Sequence, residues 1–389
     1  MIILFLKKIR NMMNEIYESI KIKYARRSEM NKILDCRRQK ILNNVVLSKS
    51  QEKKIHDLYI NYYGEKIPLD WHRYFTAYTG NFDENYFPEL LYIPEFEYFM
   101  NLNKGYDVAI SDKNLLPLVA ESIGIKTPKV LFSCVYGLYR DANCNLVSKD
   151  KILSYFSKYG RIFIKPSVES DSGQGCMIVE VQNGIDIISG DKIEKVLENL
   201  GSNFVAQGVI ECHESIKKIY PKSVNTFRVI TYRWNGKIEV MPIIMRIGRG
   251  NACIDNAHAG GIFIALDNDG TLHKTAFTEF CDKFNEHPDT KVKFEGHKII
   301  GVDKVIDAAK QMHQTLPQLG SYNWDFTIDK NGHPVLIEAN VNGGSIWLIE
   351  MAHGRGAFGK NTKDVLKWIR KMKSLNSSDR KKEYEKIYI

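Results

Sequence analysis

Apolar and polar residues change rhythm along this 389-residue chain, and the changes divide it. From Met1 to Ile60, Leu, Ile, Met and Tyr recur among Lys, Arg and Glu, with no glycine or proline before Gly64; the pattern predicts helix. Residues 67–103 are aromatic-rich and turn at Thr79-Gly80-Asn81, so they are expected to pack as helices and loops on the C-terminal part of the chain. From Asp112 helical and extended patterns alternate. Lys113–Ile123, Lys149–Tyr159, Asp191–Leu200 and Asp303–Leu316 read as helices, the first two stopped by Gly124 and Gly160. Thr127–Phe132, Arg161–Pro166, Cys176–Val181, Asn203–Ile210, Thr226–Trp234 and Lys237–Gly248 read as strands. Turn signals at Asn235-Gly236, Asn268-Asp269-Gly270 and Asn331-Gly332 make three hairpins. This mixture predicts an α+β fold rather than a doubly wound parallel sheet.

The last hairpin, Ser321 to Gly344, has a chemical face. A type I′ turn at Asn331-Gly332 sets Lys330 opposite His333 and Asp325 opposite Glu338. One face then carries Trp324, Phe326, Ile328, Val335, Ile337 and Ala339. The other carries Asn323, Asp325, Thr327, Glu338 and Asn340, with Leu336 the apolar exception. Opposed Cβ atoms lie about 4.5–5.5 Å apart, so Asp325 and Glu338 could grip one cation, with Asn340 adding an amide oxygen. Such hard oxygen ligands suit Mg²⁺ that takes its other ligands from phosphates and water. An ordinary antiparallel pair with one wet face shows the same alternation, so the metal reading depends on the rest of the chain supplying a nucleotide. Gly343-Gly344 come next and read as a loop that lies close to a ligand.

Composition narrows the class. Apolar content of 44% with 26% charged residues describes a globular chain. No run of 18 apolar residues exists, and the apolar Met1–Leu6 precedes Lys7-Lys8, the reverse of a signal peptide. Seven scattered cysteines with no C-x-x-C pair read as reduced thiols of a cytoplasmic protein. Residues 1–60 hold 14 Lys and Arg against 6 Asp and Glu, or +8 of the net +9. The nearly neutral remainder argues against nucleic-acid binding. The basic segment could meet an anionic membrane surface at its inner face, or a partner, or be a solvated helical arm.

Between Ile162 and Glu180 lies a second chemical stretch. Lys165 ends a strand, and a small-residue loop containing Ser172 and Gly173 leads to the next. Backbone N–H groups of such a loop can cradle phosphates, with the lysine adding charge. There is no G-K-[ST] and a strand succeeds the loop, so this is not a Walker motif.

Lys165-Pro166 before the Ser/Gly loop, a strand ending at Gln207, then Asp325 and Glu338-x-Asn340 resemble the ATP-grasp superfamily. N-T-F-R at Asn225–Arg228, M-R-I-G at Met245–Gly248, I-D-N at Ile254–Asn256 and G-G-I-F-I at Gly260–Ile264 resemble the sugar-transfer-associated ATP-grasp proteins. The resemblance implies an ATP clamped between two α+β subdomains behind a helical N-terminal region. It implies a division into a basic helical arm 1–69, the first part of the ATP-grasp region 70–150, a lid 151–212, a catalytic subdomain 213–375 and a tail 376–389. It implies Lys113 and Lys165 on the nucleotide, Ser172 and Gly173 in the phosphate loop, and Gln207, Gly208, Val209 and Ile210 as the linker that reads adenine. Glu214 would hold the ribose, with His213 or Glu211 as alternatives. Asp325, Glu338 and Asn340 would hold Mg²⁺, and Arg228 and Arg246 the transferring phosphoryl group. Asn256, His258, Gly343 and Gly344 would line the substrate side, and the aromatic-rich segment 67–103 could supply faces on which a sugar stacks. The implied reaction is ATP-dependent ligation of a carboxylate to an amine through an acyl phosphate, in surface polysaccharide synthesis. A kinase, an amino-acid or peptide ligase, and a non-catalytic nucleotide- or carbohydrate-binding scaffold stand as alternatives.

Overall fold

The computed structural model describes residues 2–103, 105–168, 175–252 and 254–389. Its strands form two sheets in which every pairing is antiparallel. The smaller sheet contains β1 (Val130–Val135), β2 (Leu138–Asp141), β3 (Arg161–Pro166), β4 (Met177–Gln182), β5 (Ile185–Asp186) and β6 (Phe204–Gly208), in the order β2-β1-β6-β3-β4-β5. Its apolar face closes over helices Lys149–Tyr159 and Ile193–Asn199 through Phe132, Phe156, Ile164 and Leu197.

The larger sheet contains β7 (Thr226–Trp234), β8 (Lys237–Val240), β9 (Ile244–Ile247), β10 (Ile262–Ala265), β11 (Ala276–Phe277), β12 (Lys283–Phe284), β13 (Ser321–Ile328) and β14 (Pro334–Asn340). The order is β12-β11-β10-β9-β7-β13-β14, with β8 paired to β7. The run expected as one strand from Lys237 to Gly248 breaks at Met241–Ile243, where Pro242 lacks the N–H a ladder needs. Both faces are covered. Phe227, Val229, Trp324 and Phe326 pack on helix Val302–Thr315. Ile230, Ile244, Phe263 and Phe277 meet a helical layer that includes Trp71, Tyr78, Trp347 and Ile369.

That layer corrects two expectations. Residues 33–69 are not part of a detached arm, because Ile33, Leu42, Ile55, Leu58, Tyr59 and Tyr63 are buried in the same cluster as Trp347 and Val365. The charge count misled because the basic residues occupy the outer sides of helices whose inner sides are apolar. Only the first helix, α1 (Ile2–Ile33), keeps an arm-like exposure over much of its length. The aromatic segment 67–103, a candidate for sugar stacking, instead fills the core: Trp71, Tyr74, Phe75, Tyr86, Phe87, Tyr92, Phe96 and Phe99 are all fully buried.

The β13–β14 hairpin has the expected Asp325–Glu338 pairing, reached differently. Gly332 alone of the turn pair takes positive φ, at 78°, so the turn is not type I′. Ile328 consequently pairs with Pro334 and Phe326 with Leu336, one residue off the expected register. A bulge at Ile337 then restores it. The bulge also explains the apolar exception, because Leu336 turns into the core beside Phe326.

Ile55→Ala empties a fully buried site and is expected to lower unfolding free energy by about 2–5 kcal/mol in chemical denaturation. Val46→Ala, at a position 89% exposed, should stay within about 0.5 kcal/mol. Equally small effects would separate residues 33–69 from the core.

Candidate functional site

Asp325 is fully buried in mid-strand, and the pairing of β7 with β13 sets Arg228 directly across from it. The guanidinium grips it as a fork, with Arg228 Nε 2.7 Å from Oδ1 and Nη2 3.2 Å from Oδ2. Arg246 Nη2 reaches Oδ2 at 2.9 Å from β9. Burial alone would raise the Asp325 pKa, but the two arginines outweigh it and hold the carboxyl down at about 2. Across the other ladder stands Glu338, and Asn340 Nδ2 lies 3.4 Å from Asp325 Oδ2 and 3.3 Å from Glu338 Oε1. Burial and the neighbouring Asp325 charge push Glu338 up. All three hairpin residues expected to hold the cation thus meet at one point.

The short motifs around β7 and β9 form one network behind Arg246. Thr226 Oγ1 accepts from Arg246 Nε and Nη2 at 3.0 and 2.8 Å and donates to buried Asp255 at 2.5 Å. Asp255 also accepts the Thr226 N–H at 2.8 Å. Asn225 ties the start of β7 to the end of β9 by accepting the Gly248 N–H at 3.1 Å. Gly248 must be glycine for want of room: a Cβ there would lie 2.5 Å from Ser223 Oγ. Asp255 lies inside the I-D-N motif, yet its place behind Arg246 depends on a strand pairing that a linear reading does not reveal.

Lys165 ends β3 and crosses to the larger sheet, where its Nζ lies 3.4 Å from the carbonyl of the bulged Ile337. Burial lowers its pKa, Glu338 opposes that, and Lys113 reinforces it, so the two lysines and the acid are neighbours. A narrow crevice between the sheets is lined by Lys113, Lys165, Gln207, Leu336 and Glu338. Gln207 is buried, and its Oε1 has no hydrogen-bond partner among the described residues. The chain leaves β6 at Gly208, whose N–H goes to Lys129 O at 2.9 Å, and Val209 and Ile210 follow without lining the crevice. Glu214 is not part of this group: its exposed carboxylate pairs with Lys217 at 3.1 Å. Glu211 pairs outward with Lys330 at 3.1 Å, and His213 caps the short helix Glu214–Lys217. Ser172 and Gly173 lie outside the described residues.

Sequence reasoning missed what holds the loop after Asn340. Glu97, buried in the helical layer, accepts the N–H groups of Gly343 and Gly344 at 2.8 and 2.9 Å. Glu89 accepts the Ile346 N–H at 3.4 Å. On the opposite side Asn323 presses so close that a Cβ on Gly344 would overlap its Nδ2. Both Asn323 amide atoms are buried with no partner among the described residues. Asn256 and His258 sit in the turn before β10. Asn256 Oδ1 accepts the His258 N–H at 2.8 Å, and His258 Nδ1 lies 2.7 Å from Glu279 Oε2. No direct contact joins either residue to the Asp325 cluster among the described residues.

The donor set fits Mg²⁺. It offers two carboxylates and an amide, all hard ligands, and two acids so close that one is pushed up by the other; a cation relieves that repulsion. No cluster of three His, Cys, Asp or Glu that could hold a metal exists among the described residues, so the third protein ligand would have to be Asn340.

Two antiparallel sheets with a cationic and acidic cluster between them find their match in known proteins. The family described as sugar-transfer associated ATP-grasp matches residues 94–366. The chain belongs to that family. Its fold is therefore the ATP-grasp fold, preceded by a helical N-terminal region. No curated protein matches the chain. Among solved structures, an ADP complex of N5-carboxyaminoimidazole ribonucleotide synthetase is 10% identical with a TM-score of 0.37, covering 61% of this chain and 46% of that one. The L-amino acid ligase from Bacillus licheniformis is 15% identical with a TM-score of 0.37, covering 66% and 48%. The D-alanine–D-alanine ligase from Bacillus anthracis complexed with ATP is 16% identical with a TM-score of 0.40, covering 71% and 68%. The chain spans about half the length of the first two. Likenesses this distant add nothing to the family match.

The acids behind the loop of this ATP-grasp protein give a pH test. Burial raises the Glu97 pKa from 4.5 to about 8 despite the Gly344 and Gly343 N–H groups. Its contribution to stability is complete below 4.5 and is lost as pH rises through 8. Over that window the loss is on the order of 1 kcal/mol per pH unit. Glu97→Gln should therefore lose less stability than wild type between pH 5 and pH 8 in urea titrations. An unchanged difference would mean that Glu97 ionises normally in the fold.

Proposed function

We propose that this ATP-grasp protein is an ADP-forming carboxylate–amine ligase. The observation that carries the reading is the buried Asp325, forked by Arg228, met by Arg246 and facing Glu338 and Asn340, with Glu338 lining a crevice that also holds Lys113 and Lys165. Positive groups converge there where phosphates would need them. We place adenine in the crevice because Leu116, Pro117, Pro128 and Leu336 offer it apolar contacts and Gln207 Oε1 is a buried acceptor suited to an exocyclic amine. The phosphates would then extend past Lys165 toward the arginines.

The proposed reaction has two steps. A carboxylate oxygen of the first substrate attacks the γ-phosphorus, the bond to the β-phosphate oxygen breaks, and ADP leaves with its electron pair. Arg228 and Arg246 stabilise charge on the phosphoryl oxygens as it passes. Bound to Asp325, Glu338 and Asn340, Mg²⁺ would neutralise charge on the same phosphates. The amine then attacks the acyl phosphate, a C–N bond forms, the C–O bond to phosphate breaks, and the amine gives up a proton. Gly343 and Gly344, held by Glu97, would border the acceptor. His258, held by Glu279, is a candidate at its outer edge.

The family description points to sugars, so the acid we propose is a hexuronic acid or similar sugar carboxylate, joined to an amino acid or amine during surface polysaccharide synthesis. The burial of the aromatic segment removes it as a stacking platform and leaves polar recognition by Asn256, His258 and loop backbone. Release of ADP should be screened with uronic acids, free, nucleotide-linked and polymeric, against amines, with mass spectrometry on products. Turnover with amino-acid pairs alone would overturn the sugar reading. ATP use that needs no amine and yields a phosphorylated hydroxyl would replace the ligase by a kinase. Glu338→Gln is expected to lower kcat by about 10²–10³-fold with an unchanged thermal melt. Near wild-type turnover with an unchanged metal requirement would remove Glu338 from the site.

A further inference from the structure

Six of the large apolar side chains exposed on this protein lie on α1. Met12, Met13, Ile16, Tyr17, Ile20 and Tyr24 are each between 53% and 76% exposed. Steps of three and four residues put them on one side of the helix, a stripe about 18 Å long. The opposite side faces the body. Glu18 pairs with Arg380 at 2.8 Å, Arg26 donates to Tyr63 at 2.7 Å and pairs with Glu95, and Ile22 and Met30 pack on the helical core. The stripe is therefore what remains after the helix has made its intramolecular contacts.

Charge says what covers it. Residues Ile2–Ile33 carry eight Lys and Arg against three Glu, or +5. Arg10, Lys21, Lys23 and Arg27 are exposed along the same stretch as the stripe. A second copy laid along the stripe would bring these like-charged margins together. A lipid surface bearing anionic headgroups meets them with opposite charge while taking the apolar side chains into the acyl boundary. No helix among the described residues is long and apolar enough to cross a membrane, which agrees with a helix lying in the surface plane. We propose that α1 is an interfacial helix that docks this protein on an anionic lipid surface through Met12, Met13, Ile16, Tyr17, Ile20 and Tyr24. The base of the helix lies near the candidate site: Glu29 is close enough to Glu89 and Glu97 to help raise their carboxyls.

The test uses the full chain with vesicles of phosphatidylcholine alone or with one third phosphatidylglycerol, read by co-sedimentation and light scattering. The expected result is binding to anionic vesicles at least tenfold stronger than to neutral ones, weakened by salt. Ile16→Asp with Ile20→Asp should reduce that binding at least tenfold. Lys21→Glu with Lys23→Glu should abolish the preference for anionic lipid. Both pairs are exposed, and a melting curve matching wild type shows that the fold is kept. Absence of binding to either vesicle overturns the proposal. So does a dimer in solution that Ile16→Asp with Ile20→Asp converts to monomer.

Discussion

A carboxylate buried in mid-sheet dominates this structure. Asp325 has no access to water, and an isolated charge there would be prohibitively costly. It survives ionised only because Arg228 and Arg246 reach it from two neighbouring strands. Those arginines in turn require β7, β9 and β13 to keep their register. Asn225 and Thr226 fasten the β7–β9 edge, and Asp255 balances the charge that Arg246 brings. Replacing one member would leave another charge buried and unpaired, which is why the motifs of this region act as a set.

How much of this was legible in the sequence differs by range. The Asp325–Glu338–Asn340 cluster could be read from local alternation, although a different turn and one bulge at Ile337 that cancel stood behind the correct register. Helix Lys149–Tyr159 and strands Arg161–Pro166 and Thr226–Trp234 were legible to the residue, because glycine, proline or an Asn-Gly turn marks one end of each. Arg228 and Arg246 could be named only through family resemblance, since nothing local separates them from solvated strand arginines. Glu97, Glu89 and Asn323 were not legible. Glu97 lies 246 residues before the loop it binds, and a buried glutamate looks like a surface one until packing is known. The basic helical arm expected over residues 1–69 was drawn too long for the same reason, because charge counts along a chain ignore which side of a helix carries them.

The helical layer has two tasks that the charge pattern hid. The face of the larger sheet that carries Asp325 and Arg228 also carries Ile230, Ile244 and Phe263, which need an apolar cover. Residues 33–100 and the helices after Trp347 supply it. The same cover brings Glu89 and Glu97 against the Gly343-Gly344 loop from behind. Covering the sheet and shaping the loop are thus one packing event.

That coupling bears on how the candidate site stays ordered. A glycine pair costs more backbone entropy to fix than any other dipeptide, and the loop must be fixed if it borders a reacting group. Glu97 offers two acceptor oxygens to two consecutive N–H groups, a geometry that leaves both glycines little freedom. Asn323 closes the other side so tightly that no side chain fits on Gly344. The glycines therefore serve close approach, and their flexibility is removed by residues from opposite layers. The aromatic-rich segment 67–103, which the sequence placed against the C-terminal part of the chain, supplies one of those two restraints through Glu97. Glu97 lies inside the matched range 94–366, whereas Glu89, which accepts the Ile346 N–H, lies upstream of it, so packing against the loop extends beyond the family match.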